Sequence, residues 1–299
     1  MVEASGEFLV FSAVRTMNSS DVPSAMELSI AANWNQTADD WHRIMQLSAE
    51  GCRCIEDAGR IVATATLLPY GTRLAWIGMV LTRPEYRLQG LAKRLMKDAI
   101  SSAERCGIRT LKLDATNEGR PLYESLGFVV EQTVERWGRN DGEFVAAKRE
   151  VGSRKGCCYG TRISDEMFSQ DAKAFGVTRK ELLEVLSAPG RCDASENGYI
   201  LSRPGRTAQY LGPCVANSEG EARKLIAVHL EHPMCSDEER EGSELSSWYW
   251  DLLPVNEEAV HCAVEFGFTR RRALWRMRRG EVIENDDAMI YAIAGFELG

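Results

Sequence analysis

Histidine is scarce in this sequence. The chain has 299 residues and four histidines, scattered at positions 42, 229, 232 and 261. The nine cysteines do not compensate. Their number is odd, and neither Cys52-x-Cys54 nor Cys157-Cys158 has the two-residue gap of a zinc knuckle. No metal site is therefore expected, and the thiols read as reduced, structural or surface groups. A basic excess is missing as well. The formal net charge is −8, whereas phosphate backbones demand a basic field, so no nucleic-acid partner is expected. No apolar run approaches the length of a membrane span. The opening MVEASGEFLVF carries acids and lacks the basic segment of a secretory signal. A soluble, cytoplasmic protein with no membrane partner is expected.

What is present is enough apolar material, 44% of residues, for two cores. Periodicity gives a mixed α/β chain. A strand at 7–17 precedes two short helices at 19–36 and 37–48, with Ser20 or Thr37 as caps. Strands follow at 52–57, 59–70 and 72–82, the last apolar on both faces as a buried strand is. A long helix, 84–100 and beyond, buries Leu91, Leu95 and Ala99. Then come a strand at 108–116, a short helix ended by Gly127, and a strand at 128–138. The charged, Gly-punctuated stretch 140–156 reads as a linker. It divides a domain at 1–145 from one at 158–299. The second contains helices at 166–176, 178–188 and 218–231, strands at 198–203, 207–217 and 246–253, an acidic loop at 236–244, and a helix and strand closing near Gly280.

The halves repeat each other. NEGRPLYESLGFVVEQTVERWGR from Asn117 resembles NEEAVHCAVEFGFTRRRALWRMRR from Asn256, and WIGMVL resembles YLGPCV. They are expected to be two copies of one fold packed side by side. The copies differ in their chemistry. Aligning Gly127-Phe128 with Gly267-Phe268 puts Ala263 opposite Tyr123, and Glu221 falls near the place of Arg87. The run TRRRALWRMRRG is expected to be an alternating strand with Arg272, Arg276 and Arg278 facing solvent.

The loop Arg87-Leu88-Gln89-Gly90-Leu91-Ala92 leads from a buried strand into the long helix, yet no Ser, Thr, Asp or Asn caps it. Its free N–H groups and the positive helix end suit a diphosphate. Gly90 permits close backbone approach, Ala92 keeps the first turn uncrowded and Arg87 adds charge. It is neither a dinucleotide fingerprint nor a P-loop. An ordinary water-capped helix is the alternative.

The pattern Arg-x-x-Gly-x-Ala after a strand, with LDATNEGRPLYESLGF some thirty residues on, resembles the GNAT superfamily of acyl-CoA-dependent N-acyltransferases. The second half is similar to the degenerate GNAT-like domain of some members, so two tandem GNAT-like domains are implied, the first active. The resemblance implies acetyl-CoA as cosubstrate. The loop 87–92 would hold its pyrophosphate, and Val80, Leu81 and Thr82 would pair through their backbone with its pantetheine arm. Asn117 would reach it from the next strand's end, and the Val80 N–H would stabilise the oxyanion. Tyr123 would be the acid that protonates the departing thiolate, a phenol of pKa about 10 serving a thiol near 8.5. Packing on its helix is the plainer role for Tyr123. Glu27, Asp39, Asp40, Trp34 and Trp41 lie in the helical pair that shapes the acceptor pocket in such folds. Glu27, Asp40 and Trp34 are the candidates for holding an amine, and for each of the acids a solvated helix face is the alternative. A small-molecule primary amine is the expected acceptor, a protein lysine the second choice. A non-catalytic acyl-CoA sensor or scaffold is the rival function.

Overall fold

The computed structural model describes residues 12–140, 163–188, 191–231 and 247–299. The first five residues of the strand expected at 7–17, nearly all of the linker 140–156, both proposed domain limits, Cys157, Cys158, His232 and the acidic loop lie outside them. The first half contains β1 (Arg15–Thr16), α1 (Val22–Ala31), α2 (Ala38–Leu47), β2 (Cys52–Asp57), β3 (Arg60–Tyr70) and β4 (Leu74–Thr82). It continues with α3 (Leu91–Arg105), β5 (Thr110–Ala115), α4 (Arg120–Glu124) and β6 (Val129–Asn140). The second half contains α5 (Asp165–Phe175), α6 (Lys180–Ser187), β7 (Arg191–Ser195), β8 (Gly198–Arg203), β9 (Gln209–Ala216) and α7 (Glu219–Glu231). It ends with β10 (Ser247–Leu252), α8 (Glu257–Glu265), β11 (Thr269–Gly280) and β12 (Ile290–Ala292).

Two strands have no clear sequence signal. β7 reads Arg-Cys-Asp-Ala-Ser, with no β-branched residue, and β12 is only three residues long. At the helix starts the chain chooses its own caps. Asn18, not Ser20, closes a capping box with Asp21 ahead of α1, its Oδ1 accepting the Ser20 N–H at 2.9 Å. Thr37 caps α2 as expected, with Asp40 completing the box.

The twelve strands of the described residues form one sheet, in the order β1-β2-β3-β4-β5-β11-β6-β10-β9-β8-β7, with β12 pairing β9. The expectation of two copies packed side by side needs correction. The strand that follows the short helix in each half crosses into the other half's sheet. β11 pairs with β5, β6 pairs with β10, and the two exchanged strands pair antiparallel with each other.

The exchange is sealed by two crossed ion pairs at equivalent positions of the repeat. Asp114 on β5 accepts two bonds from Arg276 on β11, both 2.9 Å. Asp251 on β10 accepts two from Arg136 on β6, at 2.7 and 2.6 Å, and one from the Tyr210 hydroxyl at 2.7 Å. Both carboxylates are fully buried. Burial pushes the Asp114 carboxyl above its ordinary value, against the pull of Arg276. Arg272, Arg276 and Arg278 therefore do not form a solvent face. Arg276 stacks on Trp76 at 4.7 Å, Arg278 pairs with Glu131 at 2.9 Å, and Arg272 is half-buried over Phe296. A solvent-facing polar face was the wrong inference because this strand lies mid-sheet, with helices over both faces.

One apolar layer is shared. It joins α1 and α2 to α5, α6 and the terminal segment Ile293–Leu298, across residues of β4, β8 and β9. On the opposite face α3 and α4 cover the first half, and α7 and α8 the second.

Removing one partner of a buried pair leaves an uncompensated charge, which costs about 3–5 kcal/mol. Arg276→Leu should lower unfolding stability by that amount, measured from the urea midpoint at unchanged m. Adding Asp114→Asn should recover part of it. A single-mutant loss below about 1 kcal/mol would show that the crossed pair does not hold the seam.

Candidate functional site

β4 and β5 run parallel and in register only from Leu74–Thr110 to Trp76–Lys112, after which no pairing joins them. Beyond that point β4 bulges, with Met79 and Val80 opposing the single residue Ala65 of β3. Met79 takes a left-handed φ of 47°, and its carbonyl accepts the Thr64 hydroxyl at 2.9 Å. The result is a parted edge whose wall carries Val80, half-buried against the α3–α4 face.

The loop after β4 curls through two left-handed residues, Leu88 at φ 61° and Gly90 at φ 81°. Gly90 is the residue at the start of α3, and no side chain caps the helix. The first N–H bonded back into it is that of Arg94, to the Gly90 carbonyl at 3.0 Å, so the amides of the first turn find no acceptor among the described residues. A Cβ built on Gly90 meets nothing within 4 Å, so the space before the helix is open. Arg87, Leu88, Gln89 and Gly90 are exposed, Ala92 is half-buried and Leu91 turns into the core.

The second half carries the same construction, blocked. β9 and β10 pair in parallel from Gln209–Trp248 to Leu211–Trp250 and then part. Into that gap goes β12. It pairs antiparallel with β9 through Ile290–Val215 and Ala292–Cys214, and the Ile293 N–H donates to the Asp251 carbonyl at 2.9 Å. Cys214 is the repeat equivalent of Val80. Helix α7 is blocked as well, with Ser218 Oγ accepting the Glu221 N–H at 3.4 Å and Glu219 and Glu221 in its first turn. Acids at that end repel an anion that the bare α3 terminus attracts.

Tyr123 lies on α4, only 8% exposed, in the same apolar cluster that Val80 borders. Its ring meets Phe128 edge-on at 6.2 Å, and Gly119 lies so close that a Cβ there would come within 3.1 Å of it. Burial pushes the phenol up to about 12. Asn117 is exposed beyond β5, and its Oδ1 accepts the indole N–H of Trp275 at 2.7 Å.

The acceptor candidates do not gather at this edge as free groups. Glu27 bridges Arg60 at 2.6 Å and Arg83 at 2.7 Å, and those arginines hold its carboxyl below its ordinary value, so it is no proton acceptor near neutrality. Asp40 is buried and committed to the Thr37 cap and to Arg43 at 2.6 Å. Asp39 is exposed. Trp41 is wholly core, its indole bonded to Ser29, while half-buried Trp34 packs at the core's edge. Asp40 does line a cavity of about 10 Å³ between the halves, room for one water, with Gln36, Arg136, Arg203 and Glu297. Among the described residues no cluster of His, Cys, Asp and Glu is arranged to hold a metal ion, and no helix is long and apolar enough to cross a membrane. The sequence reading missed Trp275, taken only as part of a basic strand, and Asn256. The latter's signal was its place in the repeat.

The sequence profile of the Acetyltransferase (GNAT) family matches residues 19–128, and that of an Acetyltransferase (GNAT) domain matches residues 167–292. The chain belongs to the GNAT acetyltransferase family. Both halves are GNAT domains, and the family implies acyl-CoA-dependent acyl transfer in general. A Pseudoalteromonas protein, holothin acyltransferase, is 25% identical over 280 residues, which is 91% of this chain and 90% of that one. The Bacillus subtilis uncharacterised N-acetyltransferase YitH is 28% identical over 176 residues, or 56% of this chain and 60% of that protein. A solved structure from Pyrococcus horikoshii superposes with a TM-score of 0.82 at 21% identity, covering 100% of this chain and 99% of that one. A tandem GNAT protein from the clavulanic acid biosynthesis pathway gives 0.61 at 14% identity over 89% and 98%. These two show the fold.

Asn256 pins the strand that fills the second GNAT cleft. Its Nδ2 donates to the carbonyls of Ala288 and Ile290, both at 3.0 Å, and its Oδ1 caps α8 through the Ala259 N–H at 3.2 Å. Asn256→Ala should cost about 2–4 kcal/mol of unfolding free energy, the sum of a lost cap and two orphaned carbonyls. Urea unfolding checks it, and an unchanged midpoint would free β12 from this anchor.

Proposed function

We propose that this chain transfers an acetyl group from acetyl-CoA to a primary amine, with the chemistry confined to the first half. One observation carries the reading. The same strand-gap-helix construction occurs twice; the second copy is filled by β12 and guarded by Glu219 and Glu221, and the first is entered by none of the described residues and has an uncapped helix. In the first copy Arg87 and the amides of the α3 first turn hold the diphosphate, with Gly90 giving it room. The backbone of Val80, Leu81 and Thr82 takes the place toward the arm that Cys214 and Val215 hold toward β12. The Pseudoalteromonas relative, an acyltransferase by name, supports acyl transfer, and a small-molecule amine is the acceptor in this reading. Use of acyl-CoA, an intracellular metabolite, supports a cytoplasmic location.

In this reading the amine nitrogen attacks the thioester carbon. A C–N bond forms while the C–S bond breaks, the Val80 N–H stabilises the transient oxyanion, the amine proton leaves to water, and the Tyr123 hydroxyl gives its proton to sulfur. A phenol near 12 is loaded at every physiological pH but is a weaker acid than free tyrosine. Its proton must therefore move together with C–S cleavage, since transfer to a fully formed thiolate of pKa about 8.5 runs uphill. The rival is a binding-only sensor. It is favoured by the commitment of Glu27 and Asp40 to arginines, which leaves neither as a base.

Calorimetry with acetyl-CoA should report one site per chain. Two sites would overturn the assignment of β12 as a plug. Gly90→Asp sets a carboxylate against the diphosphate and should abolish binding; unchanged affinity would remove the loop from the site.

Tyr123→Phe deletes only the hydroxyl. In a thiol-release assay with an amine that turns over, kcat should fall by about 10²–10⁴ with KM for acetyl-CoA nearly unchanged. With the phenol near 12, wild type should show no alkaline fall from this group below about pH 11. A mutant within about threefold of wild type, with chemistry rate-limiting, would exclude Tyr123 as the acid. Absence of thiol release from wild type on a broad amine panel, with binding intact, would favour the sensor.

A further inference from the structure

The side-chain amide of Asn117 has two faces, an oxygen that accepts and an NH2 that donates. An indole N–H can only donate, so the 2.7 Å contact from Trp275 fixes which face is which: Oδ1 is taken and Nδ2 is left. Among the described residues Nδ2 donates to nothing. Trp275 is itself held. It stands directly opposite Ala115 on β5, packs at the edge of the Tyr123 cluster, and carries the Arg120 guanidinium over its ring at 4.7 Å, with Arg120 tied to Glu124 at 2.7 Å.

The second half displays what such an arrangement is for. Asn256 begins the same motif of the repeat. Its Oδ1 is also occupied, by the Ala259 N–H, and its Nδ2 donates to two carbonyls of the peptide segment that enters the gap between β9 and β10. That segment is an extended, amide-bearing chain lying where, in the first half, none of the described residues enters. The devices that turn the amide differ. The repeat position of Trp275 is Glu135 on β6, a carboxylate engaged with Trp137 and Arg270 and unable to donate when ionised. Only the first half has its asparagine oriented by a strand from the other half.

We propose that Trp275, delivered by the second half on the exchanged strand β11, is a positioning residue. It holds Asn117 with Nδ2 turned to the open gap, where it donates to an amide carbonyl of the donor's arm as Asn256 donates to β12. This rests on the acyl-CoA reading above, and it makes the second half part of the first half's site.

The test compares two probes by calorimetry. Acetyl-CoA carries the diphosphate and the amide-bearing arm; 3′-phospho-ADP carries the diphosphate alone. Wild type should bind both. Trp275→Phe keeps a ring and deletes the N–H, and should weaken acetyl-CoA about three- to tenfold while leaving 3′-phospho-ADP unchanged. Asn117→Asp keeps the acceptor for Trp275 and deletes the donor. It should weaken acetyl-CoA by about tenfold, again with 3′-phospho-ADP unchanged, and Trp275→Phe added to it should cost nothing further. Equal weakening of both probes, or a lowered melting temperature that accounts for the loss, would reduce Trp275 to a packing residue and overturn the proposal. So would unchanged acetyl-CoA affinity in both variants, or a further loss in the double mutant. If wild type binds neither probe, the acyl-CoA reading itself fails, a result distinct from all of these.

Discussion

Two carboxylates, Asp114 and Asp251, each reach across a seam to an arginine of the other half, and the architecture depends on those crossings. The partners are 162 and 115 residues apart in sequence, so each pair closes a long loop. Neither pair is worth much as net stabilisation, because desolvating two charges nearly cancels their attraction. Their effect is on register. A one-residue slip of β6 or β11 would turn Arg136 or Arg276 to the opposite face and strand an aspartate in the core. Charges that are costly to misplace thus fix which strand lies beside which. β5 and β10, which would otherwise be bare edges, are each covered by a strand from the other half.

From the exchange follows the division of labour between the copies. The duplicated sheet brings duplicated gaps, and an open gap between parted strands exposes backbone N–H and C=O groups that need partners. In the second copy the chain supplies them itself with β12, held by Asn256, and closes the adjoining helix with Ser218 and two glutamates. In the first copy nothing of the described chain enters, and the helix starts at a glycine with no cap. The same local geometry is a structural joint in one half and, in the function proposed above, a ligand site in the other. What separates them is what the chain places in the gap.

Much of this was legible in the sequence. The Thr37 cap, apolar stripes and strand alternation gave most elements near their observed limits, because those signals act within a few residues. The repeat was visible because both copies keep the same turn residues around Gly127-Phe128 and Gly267-Phe268. The loop 87–92 stood out because its helix lacks a cap, which is a statement about missing side chains and needs no fold.

Other features lay beyond it. Whether Arg276 meets water or Asp114, whether Glu27 is a free acid or a bridge between Arg60 and Arg83, and whether three residues near the end form a strand all depend on contacts between distant positions. Alternation says that a strand has two faces; only packing says what covers each. The sequence by itself determined the local pieces, the duplication and the uncapped helix. The tertiary structure decided which half each strand serves, which gap stays open and that Trp275 stands against Asn117, since pairing between strands is set by burial and charge across the whole sheet.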